Sequence, residues 1–267
     1  MANTSTFASS DGDGYEAQMG RWSKQLAPLM LDFAGIARAQ NVLDVGCGTG
    51  SLAFELARNT NIRSVDGIDL CPAYIAYADR RAQNSRPRFR VADACALPFP
   101  DATFDYSLSS LVLQFIPDAG RATREMRRVT RSGGMLAATT WDTQSFFMHR
   151  MFFETAAEFD ADARERRAEA CARPMARSDG LKAMWHDLGL TGITLERLSI
   201  SMTFTSFDDL WIPMDGRDGP YAQYLAILDA RHKSKLRERL RAVYLNGSPD
   251  GSRTYEARAW AIKGTVT

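Results

Sequence analysis

Several things are scarce in this chain of 267 residues, and each scarcity narrows its function. Four cysteines, Cys47, Cys71, Cys95 and Cys171, show no C-x-x-C spacing, which argues against a zinc ribbon or a redox pair. Histidines number three, His149, His186 and His232, and none sits in a cluster with carboxylates at metal-ligand spacing, so no metal is expected. No apolar run approaches the roughly 20 residues of a spanning helix, so membrane insertion is not expected. The opening MANTSTFASSDGDGYEA has neither a basic start nor an apolar core; it reads as a flexible arm over 1–14 rather than a secretory signal, and the expected location is cytoplasmic. A net charge of +1 gives no global reason to expect nucleic acid as a partner. With 45% hydrophobic and 24% charged residues, what remains is an ordinary globular chain.

The most informative stretch is Asn41 to Ser51, N-V-L-D-V-G-C-G-T-G-S. Val42, Leu43 and Val45 make a short apolar run suited to a buried parallel strand. Gly46, Gly48 and Gly50 then let the backbone turn tightly and approach a ligand, and the helix begun by Leu52, Phe54 and Leu56 offers free N–H groups at its start. The spacing is G-x-G-x-G; the dinucleotide fingerprint G-x-G-x-x-G would place its last glycine at Ser51. Asp44 precedes the turn. A carboxylate there repels a pyrophosphate but accepts from an ammonium group, so the site suits a zwitterionic or cationic ligand better than a dinucleotide.

Further strands follow at βα spacing. Ser64 to Leu70 ends in Asp69, 19 residues beyond Gly50, where an acid can accept from both ribose hydroxyls or can cap the helix begun by Pro72 and expected to run to Gln83. Arg88 to Ala92 ends at Asp93-Ala94-Cys95, whose carboxylate and amide suit an adenine edge or a turn. Phe104 to Ser110 is strand four, a helix includes Arg121 to Thr130, Arg131-Ser132-Gly133-Gly134 is expected to end it, and Met135 to Trp141 is strand five. This alternation predicts an α/β, doubly wound, mostly parallel sheet with its ligand at the carboxyl edge of the strands, beside strand one. Cys47, Cys71 and Cys95 recur every 24 residues and are expected to face that crevice together. Before it, Tyr15 to Ile36 reads as one amphipathic helix that either covers the sheet edge or brings Tyr15, Arg21 or Trp22 over the ligand.

The series Val42 to Gly50, Asp69, Asp93-Ala94, Phe104-Asp105 and Arg131 to Gly134 resembles the class I S-adenosylmethionine-dependent methyltransferases, and within them the small-molecule branch of the ubiquinone/menaquinone-biosynthesis type. The resemblance is strong from Tyr15 to Trp141 and thin beyond. It implies a Rossmann-like seven-stranded sheet whose last strand is antiparallel. It also implies a glycine turn holding the methionine part, Asp69 at the ribose, Asp93 and Ala94 at the adenine, and Ser109, Ser110 and Leu111 flanking the methionine amino group. The full cofactor-site expectation is therefore Tyr15, Arg21, Trp22, Asp44, Gly46, Cys47, Gly48, Thr49, Gly50, Asp69, Leu70, Asp93, Ala94, Cys95, Ser109, Ser110 and Leu111.

Past Trp141 the rhythm changes. Residues 15–145 read as the cofactor-binding core, 146–190 as a helical cap insertion, and 191–267 as strands and helix completing the same domain. Phe146 to Arg173 starts aromatic and Met-rich and turns charged, consistent with one or two cap helices. Ser178 to Leu188 is a helix capped by Ser178 or Asp179. Ile193 to Phe204 is an edge-region strand. One helix is expected from Asp218-Gly219-Pro220 through Tyr244, and a last strand over Tyr255 to Ile262. Gln114, Trp141, His149 and Tyr221 are the candidates for a substrate pocket, His149 being the candidate base; a base is needed only if the nucleophile must lose a proton. The expected chemistry is transfer of a methyl group from S-adenosylmethionine, leaving S-adenosylhomocysteine, to a small, partly apolar acceptor. A NAD(P)-dependent oxidoreductase is disfavoured by Asp44 and by the missing glycine at Ser51. A nucleic-acid methyltransferase is disfavoured by Ser109-Ser110-Leu111-Val112 where a Pro-Pro-Tyr type motif is often found. A non-catalytic binding protein on the same fold stays open, as does the oligomeric state.

Overall fold

The computed structural model describes residues 5–7, 10–36, 40–82 and 86–267. The expected helix end at Gln83 and residues 1–4, 8 and 9 of the expected arm lie outside these. Among the described residues seven strands form one sheet in the order β3-β2-β1-β4-β5-β7-β6. They are β1 (Asn41–Val45), β2 (Ser64–Asp69), β3 (Pro87–Val91), β4 (Phe104–Ser110), β5 (Thr130–Trp141), β6 (Thr191–Phe204) and β7 (Arg253–Thr265). β1 to β5 are parallel, and β7 runs antiparallel between β5 and β6. The order reverses between β1 and β4, which opens a crevice at their carboxyl ends.

Central burial follows from composition. Val42, Leu43 and Val45 are excluded from solvent because helices cover both faces. On one face α2 (Arg21–Ala34) and α3 (Ser51–Arg58) pack Ala27, Met30, Leu52 and Leu56 against Val42, Val65 and Leu108. On the other, α5 (Ala119–Val129) and α8 (Ser178–Asp187) pack Met126, Val129, Leu181 and Trp185 against Leu136 and Ile262. α4 (Pro72–Arg81) joins β2 to β3. Above the strand ends, α6 (Phe147–Ala156), α7 (Ala161–Ala172), α9 (Phe207–Met214), α10 (Gly219–Ile227) and α11 (Ala230–Leu245) bury a separate aromatic cluster that includes Phe152, Phe207, Tyr224 and Tyr244.

Several boundaries differ from expectation for physical reasons. The lead-in helix is not uniform: α1 (Gly12–Tyr15) passes through a π turn, Glu16–Gly20, before α2. The Glu16 carboxylate folds back over Gly20, where a Cβ would lie 2.6 Å from it, and accepts from Thr49 Oγ1 at 2.6 Å. Arg131 to Gly134 does not end α5. The chain turns extended at Thr130, and Gly133 N–H donates to Val266 O while Val266 N–H donates to Gly134 O, so the segment opens β5 against β7. Arg177, not Ser178 or Asp179, occupies the cap of α8, and Asp179 pairs with Arg177 at 2.6 Å instead. The single helix expected from Asp218 breaks at extended Leu228, because Asp229 caps a new helix by accepting from His232 N–H at 2.8 Å. α9 was not foreseen; Ser206 caps it, accepting from Asp209 N–H at 3.2 Å.

Candidate functional site

The carboxyl ends of β1, β2 and β3 converge on a crevice of about 700 Å³ whose walls include Gly46, Gly48, Asp69, Leu70, Asp93, Ala94 and Leu111. The glycine turn is required here by geometry. Gly46 has φ +73, and a Cβ on it would lie 2.5 Å from Val112; Gly48, at φ +54, presents bare backbone to the crevice opposite Tyr15. Leu111 closes the far wall at φ +62, a costly conformation for a leucine, held by its N–H donating to Thr139 O at 2.8 Å.

Three carboxylates mark the site. Asp69 fastens two turns at once, accepting from Gly48 N–H and Cys71 N–H at 2.9 Å each, and these bonds partly offset the burial that raises its pKa. Asp93 accepts from Cys95 N–H at 2.8 Å and stays on the wall. Asp44 is wholly buried beneath the turn, and among the described residues neither of its oxygens has a well-formed hydrogen-bond partner. Burial first, and the nearby Asp69 second, push its pKa up to about 8; the Ala53 amide at the start of α3 offsets only part. An unpaired buried carboxylate is costly unless a donor or cation arrives.

The remaining candidates divide. Tyr15 lies on the wall of the crevice, its hydroxyl 3.3 Å from Ser23 Oγ, and burial pushes its pKa up to about 12. Arg21 and Trp22 are not brought there: beyond the π turn they face the aromatic cluster, Arg21 pairing with Asp209 at 2.8 Å and lying over Trp22 and Phe204. The three cysteines do not share the crevice either. Each follows a strand where the backbone faces the ligand side, and all three side chains are buried elsewhere: Cys47 against Gly67, Cys71 at the cap of α4, and Cys95 with its Sγ 3.6 Å from Asp118 O. Thr49 is occupied by Glu16, and Gly50 packs toward Phe54 and Phe89. Ser109 is buried with an unpartnered hydroxyl, and Ser110 Oγ sits 3.0 Å from Thr139 Oγ1.

Beyond Phe115 and Leu111 the crevice leads through a neck of about 430 Å³ to a second pocket of about 830 Å³. Gln114, Trp141, His149 and Tyr221, expected in a substrate pocket, all line the second one. Trp141 and Phe146 stack at 4.6 Å and 9°, and Gln114 Oε1 accepts from Trp141 N–H at 2.9 Å. His149 is buried with Nδ1 unpartnered. Burial, then Arg167 and Arg173, pull its pKa down to about 4.

Sequence reasoning missed Phe7, Tyr74, Phe115 and Gln18. Phe7 belongs to the segment expected as a loose arm, yet its ring meets Phe115 edge-on at 4.9 Å. That segment is tied down by the buried Asp218, which accepts from Ser10 N–H, Ser10 Oγ, Asp11 N–H and Tyr74 Oη at 2.8–3.1 Å. Gln18, also buried, lines the neck with both amide atoms unpartnered. No composition signal marks these residues; Asp218 alone had one, as the residue before a helix-starting Gly-Pro.

The core resembles known proteins. A family model described as a methyltransferase domain matches residues 43–138. These residues contain the glycine turn, Asp69, Asp93 and the Ser109–Leu111 edge. The uncharacterized protein Rv1405c of Mycobacterium tuberculosis is 34% identical over 124 residues, which cover 46% of this chain and 44% of that one. The malonyl-[acyl-carrier protein] O-methyltransferase of Halorhodospira halophila is 38% identical over 107 residues, 40% of this chain and 36% of that one. The likeness thus spans less than half the length of these relatives. By structure, the Haemonchus contortus phosphoethanolamine N-methyltransferase 2, in complex with S-adenosyl-L-methionine, superposes with TM-score 0.59 at 16% identity, over 96% of this chain and 57% of that one. It shares the fold. Among the described residues no group of His, Cys, Asp or Glu could hold a metal ion, and no helix is long and apolar enough to cross a membrane.

Proposed function

We propose that this chain transfers the methyl group of S-adenosylmethionine to a small, partly apolar acceptor and releases S-adenosylhomocysteine. The observation that carries the reading is Asp44: a buried, unpaired carboxylate under a glycine turn, at the switch point of the sheet, with Asp69 and Asp93 ending the next two strands along the same crevice. The residues present fit that cofactor. Gly46 and Gly48 leave room for its methionine part, and Asp44 with Ser109–Leu111 lies where an ammonium group would satisfy it. Asp69 and Leu70 suit the ribose, and Asp93, Ala94 and the Cys95 backbone suit the adenine. A dinucleotide would bring a pyrophosphate against Asp44, which disfavours the oxidoreductase reading.

When bound, S-adenosylmethionine supplies an electrophilic methyl group on a sulfonium. The chain's part is alignment and exclusion of water. Phe7, Tyr15 and Phe115 wall the crevice toward the neck, and the neck carries the acceptor side to Trp141 and Tyr221. His149, neutral at pH 7, can accept a hydrogen bond or take a proton, though a group with so low a pKa is a weak base. On α11, Lys233, Arg237 and Arg241 pair with Asp215, Asp208 and Asp250, which lowers the positive charge that helix offers to nucleic acid and supports a small-molecule acceptor. Four unbridged cysteines support a cytoplasmic setting.

The test is a calorimetric titration with S-adenosylmethionine, S-adenosylhomocysteine and NADH. Binding of the first two and not the third is expected. Binding of NADH alone overturns the reading.

A further inference from the structure

We propose that the second pocket selects an acceptor that carries an anionic group, carboxylate or phosphate, on a planar and largely apolar body, and that Arg173 holds the anion. The proposal rests on the methyl-transfer reading for the fate of the acceptor; the selection itself is a property of the pocket.

Arg173, half-buried at the end of α7, is fastened by neutral oxygens only. Its Nη1 donates to Gln114 O at 3.1 Å and Thr6 Oγ1 at 3.3 Å, and among the described residues no carboxylate lies within ion-pair distance of it. Its neighbours on the same helix are neutralised: Arg166 by Asp162 at 3.5 Å and Arg167 by Glu154 at 2.8 Å. Glu169 is the acid on the pocket lining, but it is exposed and, among the described residues, forms no ion pair. Arg173 therefore presents an uncompensated guanidinium, already oriented, to the pocket.

The interior agrees. His149 feels Arg167 and Arg173 as its charged neighbours; with Arg167 paired to Glu154, Arg173 is the cation that a cationic acceptor beside His149 would oppose. A neutral acceptor leaves Arg173 as it is. An anion gains charge-assisted, often paired hydrogen bonds from the planar guanidinium. The stacked Trp141 and Phe146 rings, with Phe153 and Tyr221 also on the lining, suit a flat apolar body between the neck and that charge.

The experiment uses the full chain saturated with S-adenosylhomocysteine and three probes of similar size: phenylacetate, phenyl phosphate and uncharged phenylacetamide. Affinities are measured by calorimetry or ligand-observed NMR. At least one acid is expected to bind tenfold or more tighter than the amide. Arg173→Gln should bring that acid down to the amide's level while leaving S-adenosylhomocysteine affinity unchanged, and Arg173→Lys should keep part of the preference. The stronger acid identifies carboxylate or phosphate as the group recognised. If neither acid outbinds the amide, or if Arg173→Gln leaves the preference intact, the proposal is overturned. If S-adenosylhomocysteine does not bind but the acid preference persists, the methyl-transfer reading fails and the charge selection stands.

Discussion

The two compartments on either side of Phe115 are built from different materials. The crevice at Gly46 is floored by the turns and carboxylates that end three consecutive strands within residues 44–94, and walled by side chains such as Phe7, Tyr15, Leu111 and Phe115. The second pocket is made of side chains drawn from the N-terminal segment, the 3-10 turn Leu113–Phe115, the end of β5, α6, α7 and α10. A site built from strand ends tolerates little local change, because the turn conformation is itself the binding surface. One built from side chains on separate helices can be re-tuned residue by residue without disturbing the sheet.

Substitutions should expose this difference, the largest effect first. Gly46→Ala puts a Cβ into a left-handed backbone and 2.5 Å from Val112. It should cost about 2–4 kcal/mol of stability and abolish measurable S-adenosylhomocysteine binding. Val112→Ala added to it should recover only the overlap part, which thermal unfolding of single and double variants reads directly. Asp69→Ala removes the acceptor for Gly48 and Cys71 N–H as well as for any ribose; S-adenosylhomocysteine affinity should fall by about 1.5–3 kcal/mol. Tyr221→Phe on the other side should leave that affinity unchanged. An equal loss in both variants would mean the compartments are not separable.

Acidity makes the contrast sharper. Asp44 has a folded pKa of about 8, above its ordinary value, so its contribution to stability is complete at low pH and is lost as pH rises from about 4 to 8. His149, pulled down to about 4, has the opposite sign: its contribution is complete above about 6.5 and is lost as pH falls toward 4. Asp44→Asn should therefore stabilise the ligand-free protein most near pH 8, and His149→Gln most near pH 4, each by an amount on the order of 1–3 kcal/mol. Denaturant unfolding at the two pH values checks the crossing. An ammonium-bearing ligand should also ionise Asp44, so calorimetry near pH 7 in buffers of different ionisation enthalpy should show proton release on binding, and Asp44→Asn should remove it.

The same contrast explains what could be read from the chain unaided. Strand, turn and carboxylate recur in register from Val42 to Ala94, because a parallel βα unit forces apolar strand, glycine and acid into fixed order. That made the sheet legible, and with it the placement of Asp69 and Asp93 on the crevice; Gln114, Trp141, His149 and Tyr221 line the second pocket, His149 being expected there because it follows β5. Side-chain direction was not legible. Cys47, Cys71 and Cys95 have the right spacing but are buried away from the crevice, and beyond the π turn Arg21 and Trp22 face the aromatic cluster. Long-range ties were also invisible: nothing in Ser10 or Phe7 foretells a carboxylate at Asp218 that holds their segment over the crevice.

The smallest expected effect tests where the boundary between the compartments runs. Gln18 is buried in the neck with its amide unpartnered, an arrangement that costs stability in the free protein. If its purpose is to meet an acceptor, Gln18→Leu should stabilise the free chain by about 1 kcal/mol, roughly 2 °C in Tm, and leave S-adenosylhomocysteine affinity unchanged. Acid probes should then bind with their preference intact, since Arg173 sets it, but more weakly in proportion to the lost amide. If Gln18 instead serves the crevice, the same variant will lose cofactor-product affinity, and the neck must be counted with the backbone-built side.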